Sequence, residues 1–409
     1  MNSRSAEQAI AVAERLLKPE DIIAVLPAAA AGSLSRGLPG TALLHARLSA
    51  TSQTFARAAT AHWSQAAAHA RRTAHDGAGI YHNPGGLAAS LIIGTPYLPD
   101  PQPHRDLTAR AARWMSARAL DLAGQHREYL ATGAAGTPRQ IYDVITGLAG
   151  IGRILLAATQ SGHDTEPGLL AALATLTTMM STQHGTRPGW WSPPAGRTQS
   201  ADPVRSGTAD TGLAHGIAGP VAFLSLAHLA GYSISGPITA IRDAATWLIR
   251  WQAVRTWPPH ITETELGTGI AAPAAGRRDA WCYGAPGISR SLTLAGQATG
   301  DHALTSTAET AVTALTTRPA AGWDCEGPTL CHGYAGVLQA TRADRAAQAV
   351  TNQFDPRRRF AFQHVAEQTS KDQPGFLTGA AGVALALADH GGLPARDVPA
   401  RWDALLLLS

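Results

Sequence analysis

The sequence predicts an all-α protein built from seven helical hairpins, and three observations carry that expectation. A glycine motif recurs along the whole 409-residue chain, the intervals between copies suit one helix out and one helix back, and strand-like alternation is scarce. The motif is a small or polar residue, Gly, two residues, Gly, then an apolar helical run. It reads RGLPGTALLHARL at 36–48, YHNPGGLAASLII at 81–93, YDVITGLAGIGRILLAA at 142–158 and LAHGIAGPVAFLSLA at 213–227. It continues as WCYGAPGISRSLTLA at 281–295, LCHGYAGVLQA at 330–340 and FLTGAAGVALALA at 376–388. The second copy is imperfect, with Asn83 in place of the first glycine.

The last glycines of the copies are Gly40, Gly86, Gly150, Gly219, Gly287, Gly336 and Gly382, separated by 46, 64, 69, 68, 49 and 46 residues. Between them lie amphipathic segments. One is 106–130, with Leu107, Ala111, Trp114 and Ala117 on one face; another is 237–254, with Ile238, Ile241, Ala245, Leu248 and Trp251 at helical spacing. Glycine permits tight turns and close backbone approach, so each glycine turn is expected to start one helix of a pair. Helices rich in Ala, Leu and Ile and poor in charge bury most of their sides. Seven such pairs closing on themselves form an inner and an outer ring, an α/α toroid spanning 1–409 as a single domain, with all glycine turns at one end. The alternative is an open solenoid, but the terminal copies lack the polar faces of solenoid caps. The middle intervals are longer than the outer ones, and the surplus falls at 185–212 and 256–280. Both stretches are rich in Pro, Gly, Ser and Thr and lead into a glycine turn, as enlarged loops walling a site would.

Composition narrows the function. Charged residues make up 15% and hydrophobic ones 45%, which excludes a disordered chain and permits a large core. The net charge of +4 comes without a Lys/Arg run that stands out, and Lys18 and Lys371 are the only lysines. A nucleic-acid partner is therefore not expected. The N-terminus reads as an amphipathic helix rather than a signal peptide. The most apolar stretch, 169–180, is too short to span a membrane and is interrupted by threonines. A reducing, cytoplasmic setting follows. Three cysteines make no disulfide framework, so their spacing reads as metal or catalysis.

Chemistry is expected where the seven turns differ. The fifth turn carries Cys282, the sixth Cys331 beside His332, and the fourth His215. Two thiolates and an imidazole from neighbouring hairpins suit one zinc ion, and three protein ligands leave a fourth position open, the mark of a catalytic site. Cys325, six residues before Cys331, could close the site as a fourth ligand, but it lies off the repeat position that the others share and fits a small hydrophobe. Thiolate ligation makes zinc a mild Lewis acid, suited to holding an incoming thiol as an electron-rich thiolate. Asp143 in the third turn can orient His215 for proton transfer, and Arg278 and Tyr283 flank Cys282 where they could stabilise an enolate oxygen. Singly, Asp143 or His215 also fits a helix cap and Arg278 a surface charge.

At these residues the chain resembles the lanthionine cyclases, the LanC family, through YDVITGLAG, GLAHGIAGP, RRDAWCYGAPG and LCHGYAGV. The resemblance implies an enzyme that closes thioether rings in lantibiotic precursor peptides. In that chemistry zinc, held by Cys282, Cys331 and His332, binds a cysteine thiol of the dehydrated peptide. The thiolate adds to dehydroalanine or dehydrobutyrine, and the enolate is protonated. By motif, His215 with Asp143 moves the proton, and Arg278 and Tyr283 handle enolate or substrate; Cys325 has no counterpart. No kinase-like or lyase-like domain is present, so the stand-alone type is expected. Its partners would be a leader-bearing precursor, a separate dehydratase and an export transporter, peripheral to a membrane-associated synthetase complex. The family's small β-containing extension would fall in the enlarged middle intervals. An alternative keeps the same zinc but binds glutathione or adds it to dehydroamino acids. A leader-binding scaffold with structural zinc and a toroidal prenyltransferase are further alternatives, the last opposed by an aromatic content of 6%.

Overall fold

A computed structural model of the chain describes residues 2–70, 79–194, 207–232, 234–271 and 278–409. Each of the seven glycine turns starts a helix, namely Leu38–Leu48, Gly85–Gly94, Leu148–Gln160, Ala218–Leu229, Ala285–Thr299, Tyr334–Thr341 and Ala380–His390. These helices are buried on nearly every side; every residue of Gly85–Gly94 is buried, as is Ala380–Ala388. The repeat's glycines are required by close approach. A Cβ on Gly382 would overlap the Phe376 carbonyl oxygen, so no larger residue lets the turn fold back on its own helix.

The segments between copies form the return helices Gln53–Ala70, Arg105–Ala131, Glu166–Ser181, Pro237–Arg250, His302–Thr316 and Asp344–Thr351, and the N-terminus adds Ser3–Arg15. They bury one face only. Pro237–Arg250 buries Ala240, Ile241, Ala244, Ala245 and Leu248 while Arg242 and Asp243 stay exposed. It stops four residues short of the periodicity, because the Trp257 indole N–H takes the Leu248 carbonyl at 2.7 Å and the chain turns back, with Val254 and Arg255 at positive φ.

The chain groups into two compact units. The first comprises Met1–Met115, Ala157–Asp164 and Ala320–Leu405. In it Ala380–His390 packs on Ser3–Arg15, Leu38–Leu48 and Tyr334–Thr341, and Leu38–Leu48 packs on Gln53–Ala70 and Gly85–Gly94. A hairpin of His364–Ala366 with Thr369–Lys371, unforeseen from the sequence, also belongs to this unit. The second comprises Ser116–Leu156, Thr165–Pro319 and Leu406–Ser409. Its Ala285–Thr299 helix packs on His302–Thr316, Ala218–Leu229 and Pro237–Arg250, and Glu166–Ser181 packs on Pro237–Arg250. The enlarged middle intervals supply a three-stranded antiparallel sheet, Trp191–Ser192, Thr208–Asp210 and His260–Ile261, with Ala209 opposite both Trp191 and Ile261. Of those intervals, 195–206 and 272–277 lie outside the described residues. No described helix is long and apolar enough to cross a membrane.

Two histidines buried in the first unit make its stability pH-dependent. His45 pairs its Nε2 with the Leu16 carbonyl at 2.9 Å, and His62 pairs its Nε2 with the Leu17 carbonyl at 3.1 Å. Their rings meet edge to face at 5.1 Å. Burial first, and then the neighbouring His62, pushes His45 from 6.5 down to about 3; burial likewise holds His62 down to about 4. The folded chain thus refuses protons that the unfolded chain accepts, and stability falls as the pH drops from 6.5 towards about 4. At roughly 1.4 kcal/mol per pKa unit, each site costs about 2 kcal/mol at pH 5. Urea unfolding at pH 7 and pH 5 should show this loss, and His62→Gln should shrink it. Equal stability at the two pH values would refute the account.

Candidate active site and metal centre

The turns present their side chains in register. The two residues before the first glycine are Ile145–Thr146, Ala214–His215, Cys282–Tyr283 and Cys331–His332 in turns three to six. The repeated backbone therefore delivers Cys282 and Cys331 from one position and His215, Tyr283 and His332 from the next. Adjacent turns are tied edge to edge. The Val144 amide donates to the Ala214 carbonyl at 3.0 Å and the Ala214 amide to the Cys282 carbonyl at 3.2 Å; the Cys331 amide donates to the Leu377 carbonyl at 3.0 Å. Gly212 leaves room for this, since a Cβ there would run into the Cys282 carbonyl and the Tyr283 ring.

Asp143 is buried, and its two oxygens do different work. Oδ1 accepts from the Thr146 amide at 2.7 Å, the Gly147 amide at 2.9 Å and the Thr146 hydroxyl at 3.0 Å, capping the turn into Leu148–Gln160. Oδ2 accepts from Nδ1 of His215 at 2.7 Å. Because a carboxylate only accepts, Nδ1 carries the proton of this bond, and Nε2 is left as the ring atom that can take or give one. The His215 side chain is 34% exposed, so the oriented ring is reachable. Its ring centroid lies 6.3 Å from that of Tyr283, whose hydroxyl burial holds protonated, pushing its pKa well above the ordinary tyrosine value.

His215 and Asp143 line a cavity of about 640 Å³ with Arg139, Thr146, Ser192 and Thr208. Ser192 and Thr208 of the small sheet contribute to one wall. Arg139 and Asp210 are residues that reasoning from sequence missed. The Arg139 guanidinium lies 2.8 Å from the Asp210 carboxylate, which is buried and also accepts from the Thr208 hydroxyl at 2.8 Å. Burial raises the Asp210 pKa, against the pull of Arg139. Arg278 is half-buried at the start of the fifth turn and does not line this cavity. Its carbonyl oxygen crowds Gly284, whose φ of 97° and missing Cβ let the turn form.

Among the described residues, one group of His, Cys, Asp and Glu side chains could hold a metal ion: Cys282, Cys331 and His332, whose ligand atoms all lie within 4.8 Å of one another. Cys282 is buried and the other two half-buried. Cys325, two residues from the buried Trp323, is not part of the group. The donor set suits zinc: two soft thiolates with an imidazole. Of the histidines away from these turns, His104 is buried against Trp63 and bonded to the Thr60 hydroxyl at 3.1 Å, His82 is exposed, and His75 lies outside the described residues.

The chain is similar to known proteins in sequence and in fold. The nisin biosynthesis protein NisC of Lactococcus lactis subsp. lactis is 28% identical over 204 residues, 48% of this chain and 48% of that protein, so the chain spans about half the length of this curated relative. The solved structure of a nisin cyclase matches with a TM-score of 0.74 and 21% identity, covering 93% of each chain, and it has the α/α-toroid fold. That likeness places the present chain in the same fold class, as the repeat predicted. The family described as lanthionine synthetase C-like protein matches residues 29–400. The chain belongs to the lanthionine synthetase C-like family.

Proposed function

We propose that the protein closes thioether rings in a dehydrated precursor peptide. A cysteine thiol of the peptide adds to the β-carbon of a dehydroalanine or dehydrobutyrine in the same peptide. The observation that carries this reading is the donor set of Cys282, Cys331 and His332, three ligands with one position left for a substrate sulfur. Zinc bound there would lower the thiol's pKa and present it as a thiolate. Everything else falls to the chain. His215 follows Ala214, whose amide is bonded to the Cys282 carbonyl, so the acid–base pair stands next to the ligand turn. Asp143 holds the His215 ring with Nε2 free to carry a proton, and that proton goes to the α-carbon as the adduct collapses. Tyr283 and Arg278, which flank Cys282 in the same turn, are assigned to holding the peptide. The dehydroamino acids would come from a separate dehydratase, and an export transporter would take the product.

The test is a count of free thiols. Purified protein with a dehydrated precursor should consume thiols while loaded with zinc and should stop once a chelator has removed the metal. Thiol loss that ignores the chelator would remove the zinc from the reading; thiol loss that requires added glutathione would shift it to the glutathione-adding alternative.

A further inference from the structure

We infer that Arg139 is the guanidinium that receives the carbonyl oxygen of the dehydroamino acid when the thiolate adds to it. The inference rests on the ring-closing reading above and extends it to a residue that the repeat pattern does not single out. Addition forms the C–S bond at the β-carbon. The Cα=Cβ electron pair moves to the α-carbon and carbonyl, where it sits as an enolate with its charge on oxygen. The pair returns to the α-carbon as that carbon takes a proton from His215, and the proton lost by the thiol balances the one gained. A cation is needed beside the oxygen, within reach of His215.

Arg139 meets this need on three independent counts. It lines the same cavity as His215 and Asp143, with its side chain 41% exposed. It is held in place by charge, at 2.8 Å from Asp210, a carboxylate 3% exposed and fixed by Thr208 on the central strand of the small sheet. Its donors are incompletely used. The contact with Asp210 Oδ2 is an ion pair without an aligned N–H···O bond; the unpartnered Nε is itself buried, so the donors offered to a substrate are those on the exposed part of the guanidinium. A guanidinium carries five N–H donors in a rigid fork, so one anchored by charge still has donors for an oxyanion. A purely structural pair would be expected to saturate its hydrogen bonds, since leaving a buried donor unmet costs about 1–3 kcal/mol. Arg278 lacks this placement, because it does not line the cavity.

The experiment uses zinc-loaded full-length protein and a synthetic peptide with a dehydroalanine and a cysteine. Arg139→Ala should lower the ring-closure rate at saturating peptide by about 100-fold, the loss typical of one oxyanion donor, with zinc content unchanged. Added guanidinium ion should recover part of that rate, which it would not do for a merely structural residue. Arg139→Lys, which keeps the charge, should fall between Arg139→Ala and wild type, and it replaces the alanine variant if that one does not fold. An unimpaired Arg139→Ala, or an impaired one that neither guanidinium nor lysine improves, overturns the assignment while wild type still closes rings. Wild type that closes none overturns the cyclase reading and this assignment with it.

Discussion

Cys282→Ala is expected to weaken zinc binding by more than about 100-fold, beyond the loss that follows from removing an outer partner of a metal ligand, and to abolish ring closure. The physical reason is the donor set. With three protein ligands, removal of one thiolate leaves a thiolate and an imidazole, too few to hold the ion against water. Cys282 is 2% exposed, its carbonyl is tied to the Ala214 amide, and alanine is smaller, so the turn should keep its shape. Zinc content after gel filtration measures the first effect and thiol counting the second. Cys325→Ala is the matched control, expected to retain full zinc because Cys325 stands outside the group. Full zinc in Cys282→Ala, or its loss in Cys325→Ala, would contradict the ligand assignment.

His215→Asn should lower turnover by about 10²- to 10⁴-fold, the usual range for a positioned acid–base residue, without loss of zinc. Asp143 offers the finer probe because its two oxygens have separable jobs. Asparagine can keep an acceptor toward the Thr146 and Gly147 amides but presents no second carboxylate oxygen to Nδ1, so Asp143→Asn should slow turnover while the fold holds. Asp143→Ala should in addition lose about 1 kcal/mol of stability, as a helix cap is removed. Rates and urea midpoints measured on the same preparations separate these effects. A His215→Asn enzyme that turns over like wild type would exclude proton transfer through this ring.

Much of the architecture was readable because it repeats. The glycines recur where a Cβ would strike backbone, as at Gly40, Gly86, Gly219, Gly287 and Gly382, so the same constraint is written repeatedly along the chain. The alternation of all-buried and one-sided helices follows from composition in the same way. The hairpin of His364–Ala366 with Thr369–Lys371 was not readable, since its strands are three residues each and carry no apolar alternation; its side chains range from half-buried to exposed. The end of Pro237–Arg250 was misplaced for a related reason: a tertiary hydrogen bond from Trp257 stops the helix while its periodicity continues.

The candidate metal centre divides along the same line. The amino-acid sequence by itself determined the seven-turn repeat, the ligand residue types and their shared register before the first glycine, because each of these is a local property of one turn. Only the tertiary structure decided that Cys325 stays outside the group, that Asp143 reaches a histidine 72 residues away, and that Arg139 with Asp210, rather than Arg278, lines the cavity beside that histidine. These depend on which side chains meet across separate turns and across a three-stranded sheet, and a pairing over such a span leaves no spacing in the sequence from which it could be read.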